Sequence, residues 1–284
     1  MSCLYSGGGI VFHPATHSYP EKLCGIFRHG MDRCGGRIRG PATGCSMDRI
    51  IKSGISLLLV ILLVFVSTQL YQGYVESSFR QSLHSTYTFT VSISTDTILE
   101  DATFFIPLPV DLNGSSSVVN IVGRNSEGNI PAGWKIGLFG ANNATLMKLT
   151  AKKISPYDIS TFSVEGVSDT VIKTENPLDG GVLIKPIHDL QKADCSGMPG
   201  QKSPDSQCYR YLSNIFADYR TTPDAKVLIH TELQGRNKWY VFRQESSSYT
   251  NTLSLTLLGN LNHGWFPAKG ELIAGIGDSD MPKI

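Results

Sequence analysis

Thr86-Tyr87-Thr88-Phe89-Thr90-Val91-Ser92-Ile93-Ser94 decides the fold class. Tyr87, Phe89, Val91 and Ile93 alternate with hydroxyl residues, so one face of an extended chain is apolar and the other polar, the pattern of a half-buried strand. The same β-like character returns in short runs at 103–106, 117–122, 134–139, 145–151, 159–164 and 170–173. It continues at 181–184, 226–233, 239–243, 251–258 and 271–276. Turn signals such as Asn113-Gly114, Glu127-Gly128-Asn129, Pro131 and Asp179-Gly180-Gly181 separate many of these runs. Many short strands with few helical stretches predict a mainly β fold, sandwich-like or an open barrel, over residues 86–284. No fixed repeat length is visible, which argues against a propeller or solenoid.

One stretch breaks the β rhythm. Residues 187–225 read as a polar insertion, within which Cys208, Tyr211, Leu212, Ile215 and Phe216 fall at helical spacing, predicting a short amphipathic helix. Cys195 and Cys208 are the only cysteines after the apolar segment, and in an oxidising compartment they are expected to pair. Closing such a loop stabilises by about 3 kcal/mol in the chain-entropy treatment. Two free thiols are the alternative; nothing near either cysteine in sequence marks a reactive thiolate.

Toward the N-terminus, residues 71–85 form a polar stalk in which Val75, Phe79 and Leu83 recur every four residues, as in a helix. Before it lies the one long apolar run, residues 50–70, whose centre Ile-Ser-Leu-Leu-Leu-Val-Ile-Leu-Leu-Val-Phe-Val (55–66) carries no charge. About 20 apolar residues suffice for a helix to cross a bilayer, and lipid requires the helix because it cannot satisfy open amides. Arg49 and Lys52 precede the run, and Tyr71 and Tyr74 follow it. The positive-inside rule then keeps the N-terminus cytoplasmic and exports the rest. A cleaved secretory signal is the competing reading, but Val66-Ser67-Thr68-Gln69-Leu70 offers no small-x-small site. The expected organisation is a leader over 1–46, a signal anchor over 47–70, a stalk over 71–85 and an exported β-domain over 86–284.

The leader carries nine Gly and four Cys (Cys3, Cys24, Cys34, Cys45) without hydrophobic periodicity. Met47 opens an ordinary short positive region, so residues 1–46 are expected to be either a disordered tail or an upstream mis-assigned start. The cysteines contain no Cys-x-x-Cys pair, which disfavours a zinc site. Residues 1–52 carry a net charge of +4 and the remainder −3. This asymmetry is a topology signal; a nucleic-acid footprint would need basic clusters in the folded part.

Chemistry is sparse. His188, His230 and His263 are far apart and form no zinc-binding motif, and no nucleophile elbow or phosphate loop is present. The expectation is therefore a non-enzymatic protein without cofactor or metal. Asn113-Gly114-Ser115 and Asn143-Ala144-Thr145 match the N-glycosylation pattern. Trp134, Trp239 and Trp265 lie beside turns, where aromatics serve either a binding surface or the core.

Leu99-Glu100-Asp101-Ala102-Thr103-Phe104-Phe105-Ile106-Pro107-Leu108-Pro109-Val110, behind an anchor and a Thr/Ser-rich strand, and later Pro131-Ala132-Gly133-Trp134, resemble uncharacterised envelope proteins of archaea. The resemblance extends over most of residues 47–284 and implies an extracellular setting in which surface glycosylation is credible. It carries no known activity, so no functional residue transfers. The functional expectation is a membrane-anchored cell-surface or envelope protein whose β-domain binds another envelope protein or a glycan, or serves structurally. The lipid bilayer, through residues 50–70, is its other partner. An accessory subunit of a membrane complex and an extracytoplasmic hydrolase are the rivals.

Overall fold

The computed structural model describes residues 45–124, 130–141, 144–156, 160–200, 202–259 and 263–277. Helix α1 (Cys45–Ser82) opens it, followed by β1 (His84–Thr95), β2 (Leu99–Pro107), β3 (Pro109–Val110) and helix α2 (Ser117–Arg124). Next come β4 (Trp134–Ala141), β5 (Ala144–Ile154), β6 (Ser160–Ser168), β7 (Leu183–Ile184) and β8 (His188–Ala193). The chain ends on four long strands, β9 (Gln207–Arg220), β10 (Lys226–Tyr240), β11 (Gln244–Leu258) and β12 (His263–Gly277). The chain divides into two units within α1, Met1–Leu59 and Val60–Ile284. In the first, the described residues 45–59 form the opening part of α1.

Among the described residues, ten strands join one antiparallel sheet in the order β4-β5-β2-β9-β12-β11-β10-β1-β6, with β8 also on β9. β3 and β7 form a separate pair. The mainly β expectation holds, but the strands form one continuous curled sheet instead of two hydrogen-bonded layers. Helix α2 contacts both edge strands, β4 and β6, and so lies where the curl would otherwise leave its edges open. Edge strands present unpaired backbone groups, and covering them is one way to blunt that hazard.

Residues 84–95 pack as their alternation requires: Tyr87, Phe89, Val91 and Ile93 enter the core while Thr88, Thr90 and Ser92 stay partly exposed. On the outer face Thr90 and Ser92 pair with Ser163 and Thr161 across the ladder, at 3.1 and 3.3 Å. Two fully buried asparagines fasten the irregular chain between β6 and β8 to the sheet. Asn237 Oδ1 accepts from Ile172 N–H at 3.0 Å while its amide donates to Ile172 C=O at 2.8 Å. Asn251 Oδ1 accepts from Ile184 N–H at 2.9 Å and its amide donates to Tyr211 Oη at 2.8 Å. Buried backbone groups need partners, and here side-chain amides supply what a strand neighbour would.

Four sequence expectations are overturned, in whole or in part. Residues 208–216 are strand, within β9, and 187–225 is no insertion, since β9 runs between β12 on one side and β2 and β8 on the other. The true pattern is Tyr211, Ser213, Ile215, Ala217 and Tyr219 inward, and the buried Ser213 conceals the alternation. Conversely, 117–122 is helix: Ser116 Oγ accepts from Val119 N–H at 3.1 Å as an N-cap, and Val118 and Val122 share the buried face. Residues 170–173 are not a strand, because Asn237 takes the place of a ladder partner at Ile172. Residues 241–243 form the turn between β10 and β11.

The stalk is not a free spacer. α1 continues to Ser82, and Phe79 is buried at 1% exposure with its ring 5.8 Å from Trp239, edge to face.

Candidate functional site

The disulfide joins Cys195 to Cys208, with Cα atoms 5.3 Å apart. Cys208 is the second residue of β9 and packs with Met198, Ile273 and Ile276 in a small cluster of its own. The bridge thus ties the loop after β8 to the long strand that β8 accompanies.

Trp134 and Trp239 are core residues, 7% and 2% exposed. The Trp239 indole N–H donates to Glu245 at 2.9 Å, which satisfies its polar atom where it is buried. Trp265 differs: it is 53% exposed on the outer face of β12. There it is one of a row of rings that the sequence reading missed. Phe139 on β4 lies 4.8 Å from Phe105 on β2, Phe105 lies 5.3 Å from Phe216 on β9, and Phe216 lies 5.5 Å from Trp265. Lys148 Nζ sits 5.8 Å over the Phe105 ring. At the end of the row His263 meets Phe216 edge-on at 5.7 Å and holds Nδ1 3.2 Å from Asp218. Strand order makes the row, since β4, β2, β9 and β12 follow one another with only β5 between β4 and β2.

Beside the row, the outer face of β9 and β12 forms an open depression of about 530 Å³. Asp189, Gln191, Arg210, Leu212, Lys269 and Glu271 line it, and Arg210 and Glu271 pair at 3.6 Å. Asp189 adopts a left-handed backbone (φ 51°) where β8 slips register against β9, a conformation Asp tolerates better than most residues. Flat rings with polar groups at their margin suit a ligand with both apolar faces and hydrogen-bonding edges.

Among the described residues, His188 and His230 lie on strands other than those that carry the row. His188 is exposed on β8. His230 Nδ1 is 2.9 Å from Ser254 Oγ, and its Nε2 is 3.9 Å from Glu232, whose carboxyl His230 holds below its ordinary range. The residue types are those of a hydrolase relay. They sit on the outer face of β10 and β11, however, and β10 is paired on both sides at this position. The neighbouring amides are committed to the ladder. Among the described residues, no group of three His, Cys, Asp or Glu side chains is placed to hold a metal ion.

Asn113 is exposed in the turn after β3, its N–H bonded to Asp111 Oδ1 at 2.8 Å. Asn143 and the leader cysteines Cys3, Cys24 and Cys34 lie outside the described residues. One described helix, Arg49–Ser82, is long and apolar enough to cross a membrane. Comparison with protein-family models, curated proteins and solved structures finds no match.

Proposed function

We propose that the chain is a membrane-anchored envelope protein, with α1 as its single span and a non-enzymatic β-domain exported to bind another envelope component. The observation that carries the binding role is the row Phe139–Phe105–Phe216–Trp265. Large rings at a sheet surface cost free energy in water unless something covers them, and aromatic rows of this kind are typical of binding surfaces. Anchoring is supported by the apolar stretch of α1, all of it uncovered by protein, preceded by Arg49 and Lys52. The Cys195–Cys208 bridge fits an oxidising compartment. Exposed Asn113 is a proposed glycan attachment site there. The resemblance to archaeal envelope proteins points to the same setting.

The test is retention of the detergent-solubilised full chain on delipidated cell envelopes, which offer α1 no bilayer to enter. Trp265→Ala combined with Phe216→Ala should abolish retention while leaving the unfolding transition in place, and Leu258→Ala, at an exposed position on β11, should leave retention unchanged. Equal retention of all three proteins would refute the binding role of the row.

A further inference from the structure

We propose that the turn between β10 and β11, Tyr240-Val241-Phe242-Arg243, is a foot that rests in the headgroup layer of the bilayer, so that the lipid surface is a second, direct partner of the β-domain. The proposal rests on α1 being a membrane span.

The apolar run of α1 ends at Leu70, and Tyr71 and Tyr74 follow on the next turn. Phe242 reaches both of them, with ring centroids 6.0 Å from Tyr71 and 5.9 Å from Tyr74. The β-domain therefore places an aromatic side chain at the level on the helix where the hydrocarbon run gives way to polar sequence. Phe242 touches both tyrosine rings, yet Tyr71, Tyr74 and Phe242 remain 59%, 54% and 60% exposed, as is Tyr240 at 57%. A stack of rings this open is unfavourable in water, whereas the membrane interface is where amphipathic rings are most favourable. The uncovered aliphatic side chains immediately preceding them, such as Val66 and Leu70, identify lipid as the cover.

The turn is held in this position and does not merely happen to lie there. Ser82 Oγ sits 2.9 Å from both the N–H and the C=O of Tyr240. One turn earlier Phe79 is locked against Trp239, whose indole N–H is tied to Glu245 just past the turn. The helix is thus joined to the last two residues of β10, and Glu245 closes the hairpin across the turn, which leaves little freedom for the foot to lift away. β10 and β11 then lead away from the foot for 15 residues each, roughly 45 Å of strand at about 3.3 Å per residue. The row containing Trp265 lies at the start of β12, whose other end, Gly277, pairs with Ser247 near the foot. The foot would hold the binding row at the membrane-distal end of these strands.

The test uses the full chain with Cys3, Cys24, Cys34 and Cys45 changed to serine and the Cys195–Cys208 bridge intact. A nitroxide is attached at Phe242→Cys, or at Leu258→Cys near the far end of β11, after reconstitution into phosphatidylcholine–phosphatidylglycerol vesicles. Spin relaxation by oxygen, which concentrates in lipid, is compared with relaxation by a water-soluble nickel chelate. The label at 242 should lose collisions with the chelate and keep those with oxygen, while the label at 258 collides freely with the chelate. Equal chelate access at both positions, in chains that float with the vesicles, would overturn the foot while leaving the anchor intact. Chains that fail to float with the vesicles would overturn the anchor and the foot together.

Discussion

Phe79, in the last turns of α1, stands edge-to-face against Trp239 near the end of β10, with ring centroids 5.8 Å apart. Both rings are fully buried. The pair makes the end of the helix part of the β-domain's packing, and it turns the expected stalk into a rigid joint. Phe79→Ala should cost about 3 kcal/mol, the low end for emptying an aromatic core site. Chemical denaturation in detergent, followed by Trp fluorescence, measures this; a loss below about 1 kcal/mol would mean the joint contributes little.

Glu245 should make the same joint pH-sensitive. Arg243, at 2.8 Å, and then the Trp239 indole stabilise its carboxylate and hold its pKa below the ordinary 4.5. A folded pKa below the unfolded one means the unfolded chain binds the proton more readily. Glu245 therefore adds stability that is fully present above pH 4.5 and is lost as pH falls through its lowered folded value. Glu245→Gln should remove this part of the acid dependence, which pH-dependent thermal unfolding of the two proteins would reveal as converging transitions at low pH.

Gly270 faces Tyr211 directly across the β9–β12 ladder, and a Cβ there would lie 2.2 Å from the phenol ring. The ring cannot swing aside cheaply, because Asn251 donates to its hydroxyl at 2.8 Å. Gly270→Ala should cost about 1–3 kcal/mol through overpacking. Gly137→Ala, also in a strand but with open space around it, should be nearly neutral. A comparison of their denaturation midpoints tests the pairing.

Reducing Cys195–Cys208 should lower stability by about 3 kcal/mol, since it frees a closed loop in the unfolded chain. The double variant Cys195→Ser, Cys208→Ala should unfold at the same midpoint with and without dithiothreitol. A reductant effect that persists in this variant would place its cause elsewhere.

Legibility in the sequence followed chemistry that is local. The alternation from Thr86 to Ser94 is carried by large apolar and hydroxyl residues, and it survives in the structure as β1. The cysteine pair needed only a compartment and a count. β9 was misread because Ser213 and Ala217 occupy inward positions that look featureless, while Leu212 is apolar and faces out. Those exchanges turn a period of two into an apparent helical face. α2 was misread in the opposite sense, from a run of Val and Ile that outweighed the N-cap signal of Ser116. The aromatic row was beyond reach, because Phe105, Phe139, Phe216 and Trp265 come from strands far apart in sequence. Only the strand order brings them together, and no local pattern encodes strand order. Trp265 could be singled out by its turn context, but so could Trp134 and Trp239, which are buried.

The most direct test of the anchored, exported reading is protease accessibility on intact cells, followed by non-reducing mass mapping of the released peptides. The account predicts that protease added to intact cells cuts the β-domain in its exposed loops, and that the released peptides carry Cys195 still joined to Cys208. A β-domain fully protected until the membrane is breached, with both thiols free, would contradict it.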